Sequence, residues 1–159
     1  MRLLQLAGVG LLLAALTGCG PELQVTTCRD YVSFEGDPSA LAESSDLVFV
    51  GEVLASDGLT LFNEVDAATY RVRIDEVLKG EFNDSEIRVV SVPDGCTTAG
   101  EAAEYSDGDQ LDIDGDAQFF LRETDGSWTT FSPFEGVFPV DSNGELYWDP
   151  SAPSPSPTH

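Results

Sequence analysis

Leu47-Val48-Phe49-Val50-Gly51-Glu52-Val53-Leu54 is apolar at nearly every position. A continuous apolar run of this length reads as a central β-strand. Gly51 inside it predicts a bend or bulge, and Asp57-Gly58 is expected to end it. Just upstream, Asp37-Pro38 opens a short helix to about Ser45. Asp is a favourable N-cap and Pro is tolerated at the first helical position. Downstream, Thr69 to Leu78 alternates: Tyr70, Val72 and Ile74 face one way, Arg71, Arg73 and Asp75 the other. The phase slips at Val77-Leu78, which predicts a bulge near Glu76. Lys79-Gly80 breaks this strand, and Glu86 to Val92 makes a third with Ile87 and Val89 inward. Pro93-Asp94-Gly95 is a turn that delivers Cys96, and Thr97 to Gly108 is mainly loop. Ala117 to Glu123 is a fourth strand, and Asp125-Gly126 is a hairpin signal leading into Ser127 to Phe131. Gly136 to Val140 and Glu145 to Trp148 are predicted as a last pair around Ser142-Asn143-Gly144. Short strands, glycine turns, one or two short helices and no βαβ alternation predict a mainly β fold, a barrel or a sandwich.

Two landmarks narrow this further. Ser45-Asp46-Leu47-Val48-Phe49-Val50-Gly51-Glu52-Val53 is followed by a strand ending Glu76-Val77-Leu78-Lys79-Gly80, then by a Cys-bearing loop and Phe119-Phe120-Leu121. Over roughly residues 40–140 this order resembles the OB-fold of tissue inhibitors of metalloproteinases and netrin-like modules. The resemblance implies a small OB-like β-barrel. Those inhibitors chelate zinc through a free N-terminal Cys in a Cys-x-Cys start. No Cys-x-Cys occurs in this chain, so the resemblance is carried over to the fold alone.

At the N-terminus, Arg2 precedes an apolar run from Leu3 to Leu16, and Leu16-Thr17-Gly18-Cys19 closes it. The run falls short of the roughly 20 residues of a membrane-spanning helix, and its charged start and small-residue end mark an export signal. The stretch resembles a bacterial lipoprotein signal ending in a lipobox. That resemblance implies cleavage before Cys19 and lipid on its sulfur, so that the chain is held at the extracytoplasmic face of a cell membrane. The expected organisation is a signal peptide at 1–18, a lipidated tether at 19–36, an OB-like domain at 37–148 and a disordered Pro- and Ser-rich tail at 149–159. With Cys19 lipidated, Cys28 and Cys96 are the candidates for a disulfide, which would persist outside the cytoplasm; the alternative is two free thiols.

The chain carries 29 Asp and Glu against 7 Lys and Arg, a net charge of −22. Such a surface repels nucleic acid, so none is expected as a partner. The one histidine is the last residue, His159, which leaves no interior base for Ser-His-Asp or Cys-His catalysis. No phosphate loop or dinucleotide fingerprint is present. The chain is therefore read as non-enzymatic and without a cofactor. The sharpest chemical signal is Asp107, Asp109, Asp112, Asp114 and Asp116. Counted from Asp112, carboxylates fall at loop positions one, three and five, with Glu123 at twelve, as in an EF-hand calcium loop. The sixth position, which needs Gly, holds Ala117, and a strand starts there. The expectation is a solvated acidic turn, with calcium as the alternative.

Eight aromatics lie between Phe119 and Trp148, chiefly as core. Tyr147 and Trp148, next to the tail, are expected to be the most exposed and are the candidate binding residues. The leading functional expectation is an envelope lipoprotein whose domain binds a protein partner. The alternatives are a carbohydrate or cell-wall binding module using barrel-face aromatics, and a carboxylate-based hydrolase.

Overall fold

The computed structural model describes residues 26–28, 30–98 and 102–151, the side chains of 26–28 and 97 excepted. The lipobox, Cys19, the first part of the tether and the tail beyond Ser151 lie outside the described residues. Among the described residues, eight strands and one helix follow in the order β1 (Thr26–Cys28), α1 (Pro38–Ser44), β2 (Leu47–Phe62), β3 (Val65–Lys79), β4 (Glu86–Val90), β5 (Cys96–Thr98), β6 (Asp116–Thr124), β7 (Ser127–Thr129) and β8 (Val137–Pro139). The fold is mainly β, as expected. β1 and β5 form a small antiparallel ladder, and the other strands form one sheet in the order β2-β3-β4-β7-β6-β8. β2 also pairs with β6, so the pairing runs from β2 through β3, β4, β7 and β6 back to β2. All of these pairings are antiparallel except β4 with β7.

The apolar continuity of Leu47-Val48-Phe49 in β2 and of β6 has a direct cause: these stretches are buried on both faces. Leu47 and Phe49 of β2 join Ala117, Phe119 and Leu121 of β6, Val72 of β3 and Ile87 and Val89 of β4 in one core. Phe49 and Phe119 stack there with ring centroids 4.8 Å apart. The intervening Val48 and Phe120 point the other way, into a second cluster with Leu41 and Ala42 of α1 and with Phe131. Leu111, fully buried, belongs to the first core and brings the acidic segment with it.

α1 starts as the sequence predicts. Asp37 Oδ1 accepts from the N–H groups of Ser39 (3.0 Å) and Ala40 (3.1 Å), with Pro38 in the first turn. Its far end is closed by a residue of β3. Lys79 Nζ donates to the carbonyls of Ala42 (2.7 Å), Glu43 (2.9 Å) and Ser45 (2.7 Å). Ala42 O also accepts from Ser45 N (3.2 Å), whereas the later carbonyls are of the kind a helix terminus leaves open, and the cation meets the negative end of the helix dipole. Gly80 follows at φ +87°, and a side chain there would collide with the carbonyl oxygen of Asp46. Lys79-Gly80 is thus the junction that docks α1 on the sheet.

Several boundaries differ from expectation. Asp57-Gly58 does not end β2; the register shifts between Ser56 and Leu59, and the strand runs on to Phe62. The two-residue turn lies at Asn63 and Glu64, both with positive φ (54° and 72°). The expected irregularities at Gly51 and near Glu76 coincide: Val50 pairs with Glu76 and Gly51 with Ile74, which leaves Asp75 bulged. A side chain at Gly51 would strike the carbonyl oxygen of Arg73, so glycine permits this close approach. Glu145 to Trp148 is not a strand. It is held chiefly by the buried Gln118 side chain, whose Oε1 accepts from Trp148 N (2.8 Å) and whose Nε2 donates to Trp148 O (2.6 Å). The described part of the expected tether is also docked: Tyr31 Oη donates to Pro93 O (2.8 Å), and Phe34 packs edge-on against Phe131 at 5.3 Å.

Candidate functional site

β3 and β4 pair from Thr69↔Val90 to Arg73↔Glu86. Because Tyr70, Val72, Ile74, Ile87 and Val89 turn to the first core, the opposite face carries Thr69, Arg71, Arg73, Glu86, Arg88 and Val90. Three of the seven cationic side chains of the protein meet there, and each is paired. Arg73 bonds Glu52 (2.6 Å) and Asp75 (2.9 Å). Arg88 bonds Asp57 (3.0 Å), and Arg71 lies 3.8 Å from Glu86. The Arg73 hydrogen bond holds the Asp75 carboxyl below its ordinary range, and Asp75 and Glu52 together raise the Arg73 guanidinium further.

Arg88 also donates from Nη2 to Thr69 Oγ1 (3.1 Å), and Thr69 Oγ1 donates to Gly58 O (3.1 Å). These bonds draw the bulged arm of β2 over the β3–β4 face. A groove of about 310 Å³ results. Thr60 of the folded-over arm forms one wall and Gly126-Ser127, from the β6–β7 turn, the other. Glu86, Arg88 and Val90 make the floor. Phe82 and Trp128 stand at one end, edge to face with centroids 6.2 Å apart. The volume suits a small ligand or part of a chain. The two carboxylates nearest the floor, Glu86 and Asp57, are both ion-paired. The groove therefore presents ring edges, hydroxyls and ion-paired charge.

The acidic segment is divided by the fold. Asp109 turns inward: its carboxylate accepts from Tyr70 Oη (2.9 Å), Ser91 Oγ (2.5 Å) and Leu111 N (3.0 Å). Tyr105 Oη donates to Ser91 O (2.9 Å) and accepts from Ala68 N (3.2 Å) beside it. Burial, and then the Asp109 bond, push the Tyr70 phenol well above its ordinary value. Asp107, Asp112, Asp114 and Asp116 stay exposed. The twelve-position calcium spacing is overturned by strand geometry. Asp116 and Glu123 both lie in β6, where seven residues span about 23 Å, so Glu123 cannot close a loop around Asp112 and Asp114. Among the described residues no group of three or more His, Cys, Asp or Glu is placed to hold a metal ion.

Tyr147 and Trp148 are not the most exposed aromatics. Both are half-buried against the second core. Tyr147 stacks on Phe138 at 3.7 Å, and Trp148 is fixed through its backbone by Gln118. Phe134, at 60% exposed, is the open ring. Cys28 stands opposite Cys96 in the β1–β5 register. The groove was not foreseen. Its signal was the pattern Arg71-x-Arg73 on one strand facing Glu86-x-Arg88 on the next, legible only once their pairing is known.

One further surface has no expectation behind it. Leu54, Leu59 and Leu61 of β2 are 40%, 60% and 74% exposed. Among the described residues no helix is long and apolar enough to cross a membrane. In comparison with known proteins, no family model, no curated protein and no solved structure matches the chain.

Proposed function

We propose that this chain is a lipid-anchored, non-enzymatic envelope lipoprotein whose OB-like barrel binds a protein partner. The anchor reading rests on Arg2, the apolar run and Cys19. The barrel reading is supported by the pairing circuit of five strands that returns to β2, the strand number of a Greek-key OB barrel. The cross-strand register of Cys28 with Cys96 supports a disulfide: directly opposed residues lie about 4.5–5.5 Å apart at Cα, within the range a disulfide spans. The observation that carries protein binding is the exposure of Leu59 and Leu61, neighbours on one face of β2.

The groove favours a second reading. The Phe82–Trp128 pair beside hydroxyls and ion-paired arginines fits a neutral glycan, and OB barrels use this face and its loops for oligosaccharides. Crosslinking in living cells, followed by identification of the captured species, separates the two. Protein captured through β2 supports the first reading. Cell-wall fragments retained by the wild type and lost in Trp128→Ala would replace it with the second. The anchor has its own test: Cys19→Ala should release the protein from membranes or leave an unprocessed precursor, and unchanged fractionation and migration would refute the lipobox.

A further inference from the structure

We infer that the half of β2 beyond Glu52 accepts an extended, cationic segment of a partner protein as an added strand. The inference rests on the protein-binding reading and names its surface and the chemistry of the partner. β6 accompanies β2 only from Leu47↔Leu121 to Glu52↔Asp116. β2 then runs on to Phe62, and among the described residues only β3 pairs with that stretch. In an antiparallel pair, alternate residues turn their N–H and C=O groups away from the neighbour. Here those groups form a row with no strand opposite, the template on which a further strand adds.

Side chains point to the same use. Leu59 and Leu61 share one face, beside Ala68 and Asp66 of β3, and are the more exposed of the β2 leucines. Open edges are ordinarily protected by lysine or proline. Val53 to Phe62 contains neither, and its two irregularities are the register shifts at Leu54 and at Asp57-Gly58. The latter is engaged elsewhere, since its carbonyls accept from Arg88 and Thr69. The run past it, from Leu59 to Phe62, remains available for main-chain bonds.

Charge selects the occupant. From Asp57 to Ala68 the hairpin carries no Lys or Arg; of its acids Asp57 is ion-paired with Arg88, while Glu64 and Asp66 are exposed. At the other end of the open stretch, β6 begins with Asp116 opposite Glu52, just after Asp112 and Asp114. A second copy of this chain would bring the same carboxylates and a net charge of −22, so self-pairing is opposed. A segment alternating Lys or Arg with Val or Ile would lay its cations along the face of Leu59 and Leu61, where Asp66 stands opposite Leu61 and Glu64 lies in the turn, their aliphatic stems covering the leucines. Its apolar side chains would then lie on the face of Thr60 and Phe62.

The test uses the full-length chain in detergent and three labelled synthetic ten-residue peptides, read by fluorescence anisotropy. One alternates Lys with Val, one alternates Glu with Val, and one is the cationic peptide N-methylated at alternate amides. The cationic peptide should bind and the acidic one should not. N-methylation should weaken binding at least tenfold, because it removes main-chain donors without changing charge. Leu61→Ser should also weaken it several-fold, and amide exchange at residues 59–62 should slow in the complex. Equal binding of the N-methylated peptide would reduce the effect to charge attraction and overturn the proposal. A concentration-dependent dimer abolished by Leu61→Ser would overturn it in favour of self-association. In cells, a photo-reactive residue at position 127 that captures a protein which one at position 61 never captures would sink the edge and leave the protein-binding reading standing. Failure of the peptide together with capture from neither position would remove both.

Discussion

The carboxylate of Asp109 is the residue on which the acidic segment turns. It accepts three hydrogen bonds, from Tyr70, Ser91 and Leu111 N, and so converts one member of a repelling run into an internal tie. Tyr70→Phe removes a hydrogen bond to a charged acceptor, and a loss of about 1–2 kcal/mol is expected. The pH dependence has a definite sign. The folded Tyr70 phenol titrates above its ordinary value of 10.0, so its contribution is intact below pH 10 and is lost as pH rises through the folded value. Urea midpoints measured from pH 8 upward should fall on the alkaline side, less steeply for Tyr70→Phe than for the wild type. Parallel curves would mean that Tyr70 does not sense Asp109. Lys79 is a second such residue. Lys79→Met takes the ammonium from three carbonyls at the end of α1, of which Ala42 O keeps its bond from Ser45 N, and a loss of about 1.5–3 kcal/mol is expected. A change below about 0.5 kcal/mol in chemical denaturation would show that water replaces the ammonium at no cost.

At the level of elements, the two hairpin turns invite comparison. Asp125-Gly126 has positive φ at both positions (51° and 76°), with the residues such a turn prefers. Asn63-Glu64 has the same signs, but Glu at a left-handed position crowds its own carbonyl. Glu64→Gly should therefore stabilise the protein by about 0.5–1 kcal/mol. A lower melting temperature for this variant would mean that the Glu64 side chain does something its backbone geometry hides. This turn also shows what the sequence could and could not disclose. β6, α1 and the alternation of β3 were legible because their signals are local: an apolar run, an N-cap with proline, a period of two. The extension of β2 past Asp57-Gly58 was not, because a glycine bulge and a strand end look alike until Arg88 and Thr69 are seen holding the bulge. The strand expected at Glu145 to Trp148 failed for a related reason. A buried glutamine, Gln118, supplies the main-chain partners that a ladder would have supplied, and nothing local announces that pairing. The groove depends on three non-adjacent segments and was illegible for the same cause.

For the molecule as a whole, charge and connectivity set the behaviour. With 29 acidic residues, the protein spends its few cations on internal service: three on the β3–β4 face and one on the end of α1. The proposed Cys28–Cys96 bond joins β1 to the start of β5 and encloses about 67 residues, for which the chain-entropy model gives about 4 kcal/mol as an upper figure. Cys28→Ser with Cys96→Ser should lower stability by a large part of that. Labelling of both thiols in the native wild type without reductant would refute the bond. The β1–β5 ladder has one more consequence, which is mechanical. Only six residues lie between Cys19 and Thr26, so with lipid on Cys19 the leash reaches at most about 25 Å. A partner that tugs the domain outward would pull on β1 first. Three residue pairs resist that tension, and the cross-strand cysteines sit at the end of the ladder farther from the anchor. A covalent bridge there would pass the force on to β5 and keep it from peeling residues 30–36 off the domain. Under reducing conditions the same pull should strip that segment at a lower force while the sheet stays folded, a difference that single-molecule extension would read directly.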